Sequence, residues 1–225
     1  KKEIKAAINS AWTTADVEVG SFLSGGLDSS TVSCIANETI PQLRTVTATF
    51  PHDIAVDETK LAELVFRQIK GQSLLIPFKD DYMADNLEKL AKHVDDPIMT
   101  PSDYTLMGLC EGLRKQSNVK VFLCGEGGDE LFAGYERHKT IPELYQETQD
   151  AEVLLYAYNK VAIPRLEMFA ETSTIANSYR HQLVDNLQAQ SPVNKLLELD
   201  QLTFLTTRLQ SQDRIGMKYG LEVRP

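Results

Sequence analysis

The spacing of apolar residues changes character once along the chain, near Thr140. Before that point, short β-like runs alternate with helical patterns. Ile4, Ala7, Ile8, Ala11 and Trp12 fall on one face of a helix over 2–12. Residues 18–23 read as a first strand, 28–37 as a helix, and the Thr- and Val-rich run 44–50 as a second strand. Asp57 and Glu58 open the next helix, where their charge complements its dipole. Leu61, Leu64, Val65 and Ile69 give that helix an apolar face. A third strand over 73–78, helices over 80–93 and 102–115, and a fourth strand over 119–124 complete the series. Beyond Thr140 strand signals stop. Leu154, Leu155, Tyr158, Val161, Ile163 and Leu166, then Leu196, Leu197, Leu199, Leu202 and Leu205, form the core stripes of a helical half.

Strands separated by helices of this length imply βαβ units. The expected fold is therefore α/β, a parallel twisted sheet flanked by helices, with a mostly helical C-terminal half. The expected division is an α/β core over about 14–138 and a helical part over about 139–225. With 225 residues the chain is long enough for one large domain or a core with a helical addition.

A net charge of −9 argues against a nucleic-acid surface, and no apolar run approaches the length that spans a bilayer. The first residues, Lys-Lys-Glu, lack the apolar region of a signal peptide. Cys34, Cys110 and Cys124 are odd in number and set among apolar residues, as reduced core thiols of a cytoplasmic protein would be. His52, His93, His138 and His181 lack metal-ligand spacing. The chain reads as a segment of a longer protein, since it starts without Met and stops just after Leu221-Glu222-Val223-Arg224.

Two stretches carry candidate chemistry. Ser24-Gly25-Gly26-Leu27-Asp28-Ser29-Ser30 follows the first strand and opens a helix. Such a loop aims several backbone N–H groups and a helix N-terminus at one point, which suits a phosphate. Glycines let the backbone approach the anion. It is not a Walker A loop, because it has no lysine. Asp28 beside a phosphate requires a cation, and Mg²⁺ is the natural choice. The second stretch, Gly125-Glu126-Gly127-Gly128-Asp129-Glu130, follows the fourth strand. A doubly wound sheet would bring both loops to one crevice. Asp28 and Asp129 could then share a magnesium, leaving Glu126 to meet substrate or a proton. The run Glu136-Arg137-His138-Lys139 reads as a solvated helix end, with a border of the site as the alternative because it follows the glycine stretch closely.

Ser24–Ser30 resembles the pyrophosphatase loop of N-type ATP pyrophosphatases. Residues 125–135, through Leu131-Phe132-Ala133-Gly134-Tyr135, look like the signature of the asparagine synthetase family. Asp213-Arg214 and Gly220-Leu221-Glu222-Val223-Arg224-Pro225 look like that family's later D-R…G-[L/V]-E-x-R-x-P segment. The resemblance spans 21–225 and implies an adenine-nucleotide α-hydrolase-like synthetase domain. Such a domain adenylates a carboxylate, usually the aspartate side chain, releases pyrophosphate and lets ammonia attack. Carried over, Ser24, Gly25, Gly26, Ser29 and Ser30 hold the pyrophosphate end of ATP, with Gly125 beside them. Asp28 and Asp129 become the Mg²⁺ ligands, and Glu126 the acid near the activated carboxylate. Leu23 and the 47–49 strand end, including Thr49, face adenine mainly through backbone. Asp213 and Arg214 become candidates for the acceptor site; the plain alternative is a buried ion pair.

The resemblance also implies an N-terminal glutaminase domain in the parent protein, small-molecule substrates, and a possible homodimer. The chain ends before the family's downstream catalytic lysine, so the fragment alone is expected to lack full activity. The segment Asp95-Asp96-Pro97-Ile98-Met99-Thr100-Pro101-Ser102 looks like a loop lining the substrate side. It lacks the T-T-x-x-R pattern of well-defined asparagine synthetases, which opens the acceptor acid to other choices. Sugar-acid amidotransferases and lasso-peptide or β-lactam-type cyclases use the same adenylation. A non-catalytic nucleotide-binding domain is the remaining alternative.

Overall fold

β1 (Val19–Phe22), β2 (Arg44–Thr49), β3 (Gln72–Pro77), β4 (Val121–Leu123) and β5 (Glu222–Arg224) form one sheet. Its order is β3-β2-β1-β4-β5, and every neighbouring pair is parallel. The computed structural model describes residues 1–69, 71–94, 100–155 and 173–225, with backbone alone at 173–177 and 180. The expected α/β architecture is present: helices flank a parallel sheet, as in adenine-nucleotide α-hydrolase-like folds. Tyr158, Val161, Ile163 and Leu166 lie outside the described residues.

The chain parts into two units. The first holds residues 1–126 and 209–225, the second 127–208. The first contains the sheet with α1 (Lys2–Thr13), α2 (Leu27–Asn37), α3 (Thr59–Phe66), α4 (Tyr82–Val94) and α5 (Ser102–Gln116). The second begins with α6 (Gly128–Phe132) and α7 (Arg137–Thr148). Then come a helical stretch at 151–155, α8 (Ser173–Asp185) and α9 (Pro192–Asp200). A π-helical turn over Gln201–Leu205 leads into α10 (Thr206–Lys218), whose later turns belong to the first unit.

Side-chain alternation along the strands builds the first unit's two cores. On β4, Val121 and Leu123 join a cluster with Val19, Leu23, Ala36 and Ala62 on the side of α2 and α3. Phe122 points the other way, to Val46, Met107, Leu113 and Ile215 on the side of α4 and α5. Phe122 is fully buried and stacks on Phe22 at 5.1 Å. The second unit has its own core, with Ile141, Tyr145, Leu154, Leu196 and Leu199 among its members.

Several sequence expectations shift. β5 lies where only helical signals were read, because three residues are too few to show a period. Backbone pairing makes it a strand: Glu222 N–H donates to Lys120 O at 2.8 Å and Cys124 N–H to Arg224 O at 2.9 Å. On α3, Leu61 and Leu64 are exposed, while Ala62 is buried and Ile69, also buried, lies past the helix end. Leu202 is exposed too. Cys110 and Cys124 are buried and in no disulfide, as expected, but Cys34 is exposed. Burial pushes the Cys110 thiol up to about 12.

Phe122→Ala should remove the ring that fills the space over Gly20 and Phe22. The expected loss is about 3–5 kcal/mol in urea denaturation of the first unit. A loss below about 1 kcal/mol would mean that the sheet does not depend on this packing.

Candidate active site

The loop after β1 is positioned by β2. Leu23 N–H donates to Val46 O at 2.9 Å, and Thr47 Oγ1 donates to Leu23 O at 2.6 Å. The chain then turns at Gly25, whose φ of +89° is a left-handed value suited to glycine. A Cβ there would also meet Ala62 N at 2.5 Å, so the loop runs flush against the start of α3. Gly26 is the N-cap of α2, which begins at Leu27. The two serines hold the loop shape: Ser24 Oγ and Ser29 Oγ lie 2.9 Å apart, and Gly26 N–H donates to Ser24 Oγ at 3.2 Å. Ser24 N–H in turn donates to Ser29 Oγ at 3.2 Å. Ser30 differs: among the described residues its buried hydroxyl has no hydrogen-bond partner. Buried polar groups are normally satisfied, so this hydroxyl in the first turn of α2 stands out.

β4 runs directly beside β1, with Ser21 opposite Leu123. The segments leaving these two strands therefore start side by side at the sheet's carboxyl edge, at the switch point where such folds take ligands. Their contact is close. A Cβ on Gly125 would meet Ser29 N at 2.6 Å and Asp28 Cβ at 2.9 Å. Any side chain at 125 would push the 24–30 loop away. Glu126 follows as the last residue of this part of the first unit. Leu23 and Thr49 are both buried at the strand ends, and Thr49 O accepts from Phe78 N–H at 2.9 Å.

Asp129 belongs to the second unit, on α6. Its carboxylate lies against Gly134, where a Cβ would sit 1.7 Å from Oδ1. The neighbouring Glu130 is buried and accepts from Tyr135 Oη at 2.7 Å. Burial and this hydrogen bond push the Tyr135 phenol well above its ordinary range. Arg137 stacks over the Tyr135 ring at 4.0 Å and donates to Asp200 Oδ2 at 2.8 Å. His138 is buried and sits 2.7 Å from the same oxygen through Nε2. Its Nδ1 accepts Tyr135 N–H at 3.3 Å, which leaves Nε2 to face the Asp200 carboxylate. Arg137 is a cation that compensates buried Asp200.

This network corrects the reading of residues 136–139 as a solvated helix end. Only Glu136 and Lys139 are exposed, paired with each other at 2.9 Å. Arg137 and His138 anchor the segment that carries Asp129, and the one sign of it in the sequence was how closely the run follows the glycine motif. Asp57 also does more than complement a dipole. Its carboxylate accepts Phe50 N–H at 3.1 Å and Thr59 Oγ1 at 2.5 Å, tying the 50–58 loop to α3. These bonds, Thr59's first, hold the Asp57 carboxyl below the usual carboxylate range.

Asp213 and Arg214 stand on α10 in the first unit, and the buried-pair alternative fails because Asp213 is exposed. Arg214 donates through Nη1 to Val94 O at the end of α4. Residues 95–99, expected to line the substrate side, lie outside the described residues. Among the described residues no cluster of three or more His, Cys, Asp or Glu could hold a metal by itself.

The profile of the asparagine synthase family matches residues 1–225. The glutamine-hydrolysing asparagine synthetase 1 of Bacillus subtilis is 35% identical over 145 residues, covering 61% of this chain and 22% of that protein. A putative asparagine synthetase 2 of Methanocaldococcus jannaschii is 36% identical over 124 residues, 55% of this chain and 24% of the relative. Amidase chyE of Penicillium rubens is 28% identical over 136 residues, 54% and 20% respectively. The matches therefore span less than a quarter of the length of each of these relatives.

Two outcomes test the geometry. Gly125→Ala should shift the backbone amide resonances of residues 26–29, because its methyl must displace the loop; unchanged resonances would show that the segments do not touch. Asp200→Ala should destabilise the second unit by about 3–5 kcal/mol by leaving Arg137 buried without its partner. Hydrogen exchange at the Ile141 and Tyr145 amides reads it, and wild-type protection there would remove the anchoring role.

Proposed function

Because the chain belongs to the asparagine synthase family, we propose that it is the ATP-using part of an amide-forming ligase. A carboxylate oxygen of the acceptor acid attacks the α-phosphorus of ATP, and the bond to the β-phosphate oxygen breaks. Pyrophosphate leaves, and the acid becomes an acyl adenylate. Ammonia then attacks the acyl carbon, AMP departs, and one proton is lost from nitrogen. The relatives named as asparagine synthetases support aspartate as the first acid to try.

The observation that carries this reading is the contact of Gly125 with Ser29 N and Asp28. It joins the two glycine motifs at adjacent strand ends, where one ligand can meet both. The loop amides with Ser24, Ser29 and the unsatisfied Ser30 hydroxyl hold the pyrophosphate end and stabilise the charge that develops on it. Leu23 and Thr49 present backbone to adenine. Glu126, next to Gly125, takes the proton from the attacking nitrogen.

Asp28 and Asp129 offer hard oxygen donors, and the described residues form no protein-only cage for a metal. Carboxylates of this kind suit Mg²⁺, which is bound through one or two carboxylates together with substrate phosphates. An ion so held would neutralise charge on the departing pyrophosphate. Ammonia would come from a glutaminase domain in the full-length protein.

Full-length protein given ATP, Mg²⁺, ammonium and aspartate should release pyrophosphate and form asparagine. Asp129→Asn should abolish that turnover with near-native circular dichroism, and wild-type turnover would sink the metal role. Glu126→Gln should slow amide formation by about 10²–10⁴ while sparing pyrophosphate exchange. Equal losses in both assays would move Glu126 to nucleotide binding.

A further inference from the structure

A glycine at a helix end usually supplies a left-handed φ. The end of α6 departs from that rule. The left-handed residue there is Ala133, with φ of +63°, and the glycine comes one position later, at Gly134, whose φ lies outside that region. The course of the backbone therefore does not require a glycine at 134. Space does. Chain neighbours aside, the three atoms nearest to a Cβ on Gly134 all belong to Asp129: Oδ1 at 1.7 Å, Cγ at 2.8 Å and Cα at 3.3 Å. The Asp129 carboxylate occupies the place that a side chain at 134 would take.

The backbone around this seat is fixed. Ala133 N–H and Gly134 N–H both donate to Asp129 O, the second at 3.2 Å. One residue further on, Tyr135 Oη donates to Glu130 Oε1 at 2.7 Å, so Glu130 and Tyr135 repeat the spacing of Asp129 and Gly134. Gln201 Nε2 donates to Glu130 O at 3.3 Å, and the Arg137 guanidinium covers the Tyr135 ring. A methyl group added at 134 meets a backbone tied by these bonds and a carboxylate that can swing away by side-chain rotation. The carboxylate is what yields.

We propose that Gly134 is a positioning residue, whose bare Cα holds the Asp129 carboxylate in the orientation from which it binds a divalent cation. The inference rests on the cation role given to Asp129 above and names the residue that makes that role possible. Metal-ligating carboxylates need a neighbour that fixes their direction. Contact with a bare Cα takes no lone pair from the carboxylate, so it orients the group without competing for the oxygens that a cation uses. Asp129 is only partly buried, which leaves it within reach of an ion from solvent.

The probe is Mn²⁺, which takes the same oxygen ligands as Mg²⁺. It is titrated into the full-length protein with α,β-methylene-ATP and read by electron paramagnetic resonance. Gly134→Ala should keep a thermal unfolding midpoint close to wild type and weaken Mn²⁺ binding about 10–100-fold, the usual effect of losing a group that orients a metal ligand. In the Asp129→Asn background the same change should weaken binding no further, because the carboxylate that Gly134 positions is already lost. Wild-type affinity in Gly134→Ala, beside weak binding in Asp129→Asn, overturns the inference and leaves the cation role of Asp129 standing. A further loss of the same size in the Asp129→Asn background also overturns it, since Gly134 then acts on something else. Wild-type affinity in Asp129→Asn overturns the cation role and the inference with it. Should Gly134→Ala fail to fold, the double variant Asp129→Ala/Gly134→Ala decides. Its nearest remaining contact is the residue 129 Cα at 3.3 Å, so it should fold and thereby trace the clash to the carboxylate. A double variant that fails to fold as well overturns the inference.

Discussion

Everything in the first unit's candidate site depends on one close approach, the Gly125 backbone against Ser29 N and Asp28. Parallel pairing of β1 with β4 sets it up, since the register Ser21 to Leu123 brings both strands to their ends side by side. There is no room for a side chain at position 125, which meets Ser29 N and Asp28 Cβ directly. Gly25 repeats the constraint on the other flank, where the loop touches the α3 backbone. A loop clamped on both sides by bare backbone keeps its N–H groups in place without a ligand, so little ordering is left to do at binding.

Much of this was legible in the sequence because the responsible signals are local. Alternation of strands and helices fixes a parallel sheet, and glycine-rich turns after β1 and β4 mark the segments that must come close. The expected helices and first four strands lie within a few residues of their observed ends, for example 28–37 against Leu27–Asn37. What escaped notice depends on distant partners. Arg137 and His138 look like a surface run until Asp200, about sixty residues later, supplies the oxygen that buries them. Asp57 looks like a charge that only complements a helix dipole until the Phe50 amide is seen to need it. β5 has no period to read and exists only because β4 offers a free edge.

The apolar stripe of α3 failed for a related reason. Leu61 and Leu64 obey helical spacing, yet the buried position is Ala62. The backbone of Leu61 and Ala62 is pressed against Gly25, and close packing there favours the smallest side chain on the contact face. Spacing predicts that a helix has an inner face, while the neighbour decides which residues compose it.

The last strand carries a consequence for synthesis. Residues 127–208 are contiguous and own a separate core, whereas the sheet unit is assembled from two pieces that flank them. Arg224 closes that unit: its backbone pairs with β4 and its guanidinium donates to Ala11 O at 2.6 Å, joining the chain's final residues to its first helix. A ribosome delivers the inserted unit complete while the sheet still has an open edge. The sheet unit therefore matures after residues 127–208, and its exposed β4 is the surface that needs guarding until residue 224 emerges.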